Sequence, residues 1–230
     1  MREEIHHFLK TLDGDLAVVR EACEPFLGDD ANVDPPSGAA LISHRPKIAP
    51  QAYACVLFPG IPEDEISRYE QIHSKAAQHP LTIPSFYCDT LRQLNGASLF
   101  QIDLFGVPGS MTNDPPLLSR SVRQPLDLAT ANRNWFISYK PQRSQFYFGS
   151  GPFSWEENLG YFLNKDGSVD ALRKNGEKFA CWPTIGRFLA EELARAASIY
   201  LSYEERWFEF NQQLEANERE RKRAKRGRRK

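Results

Sequence analysis

Apolar residues near the start of the chain recur three and four apart: Ile5, Phe8, Leu9, Leu12, Leu16, Val19, Cys23 and Phe26. That spacing lines one face of an amphipathic helix over residues 3–26, with Gly14 marking a break in its middle. Residues 28–38, GDDANVDPPSG, are acidic and proline-rich and read as a linker, and AYACVLF (52–58) reads as a strand. A second helix opens at Pro62 with Glu63, Asp64 and Glu65 in its first turn. Proline's missing N–H costs nothing there, and carboxylates meet the positive end of the helix dipole. Its stripe is Ile61, Ile66, Tyr69, Ile72 and Ala76, and His79-Pro80 closes it. A third helix runs from Pro84 through SFYCDTLRQL, turning Phe86, Leu91 and Leu94 inward, with Asn95-Gly96 as its stop.

Beyond Gly96 the pattern changes to strands. ASLFQIDLFG (97–106) predicts a strand ending at a glycine, residues 107–124 a Pro/Ser/Asn loop, and PLDLATANRNW (125–135) a short helix. QFYFG, LGYFLN, SVDALRK and EKFACW follow as a β-meander, with Asp166-Gly167 and Asn175-Gly176 as tight turns. Pro183-Thr184 then opens a long helix with Ile185, Phe188, Leu189, Leu193, Ala197, Tyr200 and Leu201 on one face. Helices, a meander and a final helix predict an α+β fold, a central and mostly antiparallel sheet flanked by helices. The expected division is an N-terminal extension at 1–58, a main domain at 59–210, and a polar, basic tail at 211–230, disordered beyond 217.

Charge alters this picture more than composition does. At 41% hydrophobic, 230 residues suffice for a sizeable core, and no apolar run approaches the ~18 residues of a membrane span. The N-terminus lacks the apolar stretch of a signal peptide, so a cytoplasmic location is expected. The net charge of −1 conceals a split: RERKRAKRGRRK (219–230) holds nine Lys/Arg against one Glu, or +8, which leaves −9 on residues 1–218. An acidic body repels phosphate backbones and attracts basic partners. Cys23, Cys55, Cys88 and Cys181 form no C-x-x-C pair and read as buried, reduced thiols.

Several landmarks fall in a familiar order. Ile83-Pro84-Ser85-Phe86-Tyr87, Leu91 and Leu94-Asn95-Gly96 resemble the P-x-x-[FY]…L…NG signature of the SUKH superfamily, which includes the Smi/Knr fungal cell-wall regulators and many bacterial immunity proteins. Leu104-Phe105-Gly106, Trp135, Phe146-Tyr147-Phe148-Gly149, Gly160-Tyr161-Phe162-Leu163, Asp166-Gly167-Ser168-Val169 and Trp182 before Phe188-Leu189 continue it, over about residues 60–205. The resemblance implies an α+β binding domain, in bacteria one that neutralises a neighbouring toxin by direct contact. Its marker residues Pro84, Asn95, Gly96, Gly106, Trp135, Gly149, Gly167 and Trp182 are read as fold-bearing, with Trp135, Tyr161, Phe162 and Trp182 as core aromatics.

Enzyme motifs are missing from the pattern: no G-x-S-x-G, H-E-x-x-H, Walker A or strand-to-helix G-x-G-x-x-G is present. Ser150, in FGSGP, reads as part of a loop between strands. His6, His7, His44, His73 and His79 form no recognisable triad or ligand set, and Glu156-Glu157 and Glu191-Glu192 read as solvated faces. The expectation is a non-enzymatic protein-binding module without metal or cofactor. Its acidic partner contacts would come from Asp13, Asp15, Asp29, Asp30 and Asp34, or from Glu63, Asp64 and Glu65. A regulatory scaffold docking through the N-terminal helix is the alternative. The tail would add weak, nonspecific contact with nucleic acid or an anionic surface, or fold back on the acidic body.

Overall fold

The computed structural model describes residues 2–46, 52–75, 81–108, 124–151 and 158–202. The first apolar stripe forms α1 (Arg2–Thr11) and α2 (Ala17–Cys23), broken at a single 3-10 turn where Gly14 takes a φ of +53°. Three strands follow, β1 (Asn32–Val33), β2 (Ala40–His44) and β3 (Tyr53–Pro59). Helices α3 (Glu63–Lys75) and α4 (Ser85–Gln93) lead into β4 (Leu94–Leu99) and β5 (Ile102–Leu104). After the short α5 (Leu128–Thr130) come β6 (Phe146–Ser150), β7 (Leu159–Leu163), β8 (Val169–Arg173) and β9 (Lys178–Trp182). The last helix described, α6, spans 185–202, and the Thr184 hydroxyl caps it by accepting from the Arg187 N–H at 3.1 Å.

The nine strands among the described residues join one antiparallel sheet in chain order, β1 to β9. The molecule is therefore α+β, with helices flanking a central sheet. Strands β6 and β7 are buried along their whole length because aromatic side chains cover both faces. On one face Phe188 of α6 meets Phe148, Tyr161 and Trp182 with ring centroids 4.6–5.5 Å apart, and Tyr87 of α4 lies 5.4 Å from Phe148. On the other, Tyr147 stacks on Phe162 at 4.7 Å and meets Phe105 edge-on at 4.9 Å.

Residues 1–58 are not set apart from this body. β3 spans the expected boundary and pairs with β4, while Ile5, Leu9, Val19 and Cys23 share one continuous core with the meander. The acidic linker turns out to be the β1–β2 hairpin, where the Asp34 N–H donates to the Ala39 carbonyl at 2.9 Å. Residues 97–106 form a hairpin rather than one strand, turning at Phe100 and Gln101 with φ of 50° and 71°. Asn95-Gly96 does not end α4 but lies inside β4. The Asn95 amide donates to the Val107 carbonyl at 2.9 Å and accepts the Val107 N–H at 2.8 Å, so the side chain substitutes for a strand neighbour. At Gly96 (φ +83°) an added Cβ would sit 2.8 Å from the Leu104 carbonyl oxygen, and at Gly106 one would sit 2.4 Å from that of Asn95. The two glycines let these segments close on each other.

Several side chains depart from their expected burial, among them Ile72 and Leu201, which are exposed toward the ends of their stripes. Phe86 is 51% exposed and Trp135 39% exposed, the latter leaning edge-on against Phe105 at 5.8 Å. Glu192 is only 2% exposed, because the Tyr161 hydroxyl donates to it at 2.8 Å and Arg195 grips it from 2.7 Å. Cys23 and Cys55 are buried as expected, whereas Cys181 is exposed. The tail (211–230), Glu156-Glu157 and His79 lie outside the described residues.

Candidate functional site

A cleft of about 280 Å³ opens where the α1–α2 junction, α4, the β7–β8 turn and the start of α6 converge. Leu16, Phe86, Pro183 and Ile185 give it apolar walls, and Asp13, Asp15, Asp89 and Asp166 supply carboxylates. No Lys, Arg or His occurs among the described residues that line it. Each element delivers its residues for a local reason. Gly14 breaks the N-terminal helix, so Asp13 and Asp15 project from a 3-10 turn whose Leu16 is buried as the anchor. On α4, Phe86, Asp89, Thr90 and Gln93 follow the i, i+3, i+4, i+7 spacing of one helical stripe, and Gln93 accepts the Asp13 N–H at 3.0 Å. Gly167, at φ +85°, carries the turn beneath Phe86, a Cβ there falling 3.5 Å from the ring.

The cleft's charge is fixed by its geometry. Asp166 accepts from the Ser168 hydroxyl at 2.7 Å and from the Ser168 N–H at 3.0 Å, which hold its carboxyl below the usual range and ionised. Asp15 abuts Gly186 in the first turn of α6, where the helix dipole favours a negative charge. Asp89 is paired with Arg92, which also reaches Glu63 at 2.5 Å. Phe86 stands exposed among these groups. The arrangement suits a cationic side chain, whose aliphatic stem can lie along the apolar wall while its head meets carboxylates.

Of the acidic residues expected to contact a partner, the structure brings together Asp13 and Asp15 at this cleft. Asp29 pairs with Arg2 at 3.0 Å, Asp30 accepts the His44 N–H at 2.7 Å, and Asp34 accepts from Ser37 at 2.6 Å. Glu63, Asp64 and Glu65 stay together on the first turn of α3. Phe86, Asp89 and Asp166 were not in the expected set. For Phe86 and Asp89 the signal was the polar and aromatic stripe of α4, which the inward assignment of Phe86 concealed, whereas Asp166 comes from the β7–β8 turn and carried no such signal.

Elsewhere the ionisable groups serve structure. Asp127 caps α5 by accepting from Ala129 and Thr130 and takes the Tyr69 hydroxyl, whose proton burial holds well above its ordinary pKa. His73 packs edge-on against Tyr69 at 4.5 Å, and burial together with the nearby Arg133 lowers its pKa, which favours the neutral ring. Ser150 is buried within β6. Among the described residues no three His, Cys, Asp or Glu side chains converge as a metal site requires, and no helix is long and apolar enough to cross a membrane. Comparison of the chain with protein-family models, with curated proteins and with solved structures finds no significant match.

Proposed function

We propose that the chain is a non-enzymatic binding module that covers a basic protein partner and neutralises it, as an immunity protein does a toxin. The observation that carries this reading is the cleft at Phe86, with four carboxylates and no base among its described lining residues. A nuclease or similar toxin that holds phosphates presents Lys and Arg. An acidic body of −9 steers such a surface in, while an exposed aromatic at the centre of contact supplies much of the affinity. The ordered landmarks that resemble the SUKH superfamily support a binding domain over an enzyme. The scaffold alternative, with the N-terminal helix as docking element, loses ground because Ile5 and Leu9 of α1 are already buried in the chain's own core.

The test is co-expression with the toxin-like product of an adjoining gene, followed by calorimetry of the purified pair. Binding is expected to restore growth and to weaken markedly between 50 and 300 mM salt, roughly as several charge contacts require. Phe86→Ala and Asp15→Asn should each lower affinity by about tenfold. Unchanged affinity in both variants would remove the cleft from the interface, and an adjoining product that never binds would remove the function.

A further inference from the structure

The basic segment 219–230 meets the same chemistry as an outside partner, and it belongs to the same chain. We propose that this segment is the resident occupant of the cleft at Phe86, so that a partner must displace it. The inference rests on reading the cleft as a site for basic chains, and four observations support it.

The first is charge: the +8 of the twelve-residue segment complements Asp13, Asp15 and Asp166, which share the cleft with Asp89, itself paired with Arg92. Second, charge distinguishes the site from a neighbouring region. A second cleft, about 670 Å³, mixes Arg2 and Lys10 with Glu3 and Glu24 and so gives a basic segment no net advantage. Third, the segment's side chains suit the walls. It has no aromatic residue and only Ala224 and Gly227 as uncharged positions. Its apolar contact must therefore come from Arg and Lys stems, which lie well along Leu16, Pro183 and Ile185, and from a guanidinium over the exposed face of Phe86.

The fourth is reach. The cleft lies at the start of α6, whose residues 185–202 span about 27 Å at 1.5 Å each. The sixteen residues 203–218 can cover up to about 50 Å, so the basic segment can return along the helix. A tether of this length holds its two ends at an effective concentration near the millimolar range, enough for individually weak charge contacts to be occupied.

The experiment compares amide NMR spectra of the full 230-residue chain with those of a full-length variant. In the variant Arg219, Arg221, Lys222, Arg223, Lys225, Arg226, Arg228, Arg229 and Lys230 are all changed to Gln. At low salt the differences should cluster at residues 13–16, 86–93, 166–167 and 183–186, should vanish at 500 mM NaCl, and should not change with protein concentration. In a second full-length variant, Asp13→Asn with Asp15→Asn and Asp166→Asn, the cleft amides should no longer respond to neutralisation of the segment. Thermal unfolding of that variant confirms that its fold is kept.

Differences absent from the cleft, spread over the acidic residues near Glu3 and Glu24, or confined to 203–218 would overturn the proposal. A dependence on protein concentration would also overturn it, by showing contact between copies. These outcomes are separate from the toxin experiment: an empty cleft that still binds the outside partner ends only this inference. A cleft filled by the segment that never binds a partner ends the function proposed above.

Discussion

Asp103 lies on β5 directly opposite Ser98 of β4 and Ser150 of β6. Burial pushes its carboxyl up to about 6, against the pull of a hydrogen bond with Ser98. A carboxyl with a folded pKa above its unfolded value of about 4 stabilises the fold most when both states are protonated. That contribution is complete below about pH 4 and is lost as pH rises through 6. The midpoint of urea unfolding should therefore carry a downward component between pH 4 and 7 that Asp103→Asn removes. An unchanged pH profile in the variant would show that Asp103 ionises freely in the folded chain. Asp170 on β8 has the opposite sign. Lys178 at 2.8 Å and other hydrogen-bond donors hold its pKa low despite burial, so its contribution is complete above the ordinary carboxylate range and is lost as pH falls below it.

Among the elements, α6 docks through a stripe of buried side chains (Ile185, Phe188, Leu189, Leu193 and Tyr200) in which Phe188 holds the aromatic centre. Phe188 is fully buried and touches Phe148, Tyr161 and Trp182, so Phe188→Ala should cost about 3–5 kcal/mol in chemical denaturation. Phe86→Ala, on the exposed stripe of α4, should change stability by less than about 0.5 kcal/mol. A large loss there would mean the ring supports the fold rather than a partner. The same contrast shows what could be read from the chain. The α6 stripe, the meander and its two glycine turns were legible, because apolar spacing and Asp-Gly or Asn-Gly pairs report local geometry. The Phe100–Gln101 turn was not, since neither residue favours positive φ. Phe26 and Tyr200 pack on the Phe100 ring at 5.0 and 6.0 Å, and those contacts come from far along the chain. Asn95-Gly96 misled for a related reason: the pair suits a helix stop, and only the approach of Val107 shows that the amide completes a strand. The cleft was half legible. Acidity marked Asp13 and Asp15, but nothing local to Asp166 shows that its turn lies beside Phe86.

At the scale of the molecule, the three N-terminal strands and α1–α2 belong to the same core as the meander. Deleting residues 1–58 would strip β1, β2 and most of β3 from the sheet and expose the edge of β4 at Ala97, Ser98 and Leu99. The shortened chain should show no cooperative thermal transition by circular dichroism. A transition within a few degrees of the intact protein would instead make those strands an appendage.

The order of the sheet has a consequence for biosynthesis. Because each strand hydrogen-bonds to the one made just before it, the emerging polypeptide waits for a strand's next neighbour mainly across the two long excursions, between β3 and β4 and between β5 and β6. What must wait is the lid on the aromatic face. Until Phe188 leaves the ribosome, Phe148, Tyr161 and Trp182 lack the ring that all three share, and only α4, through Tyr87 on Phe148, covers part of that face.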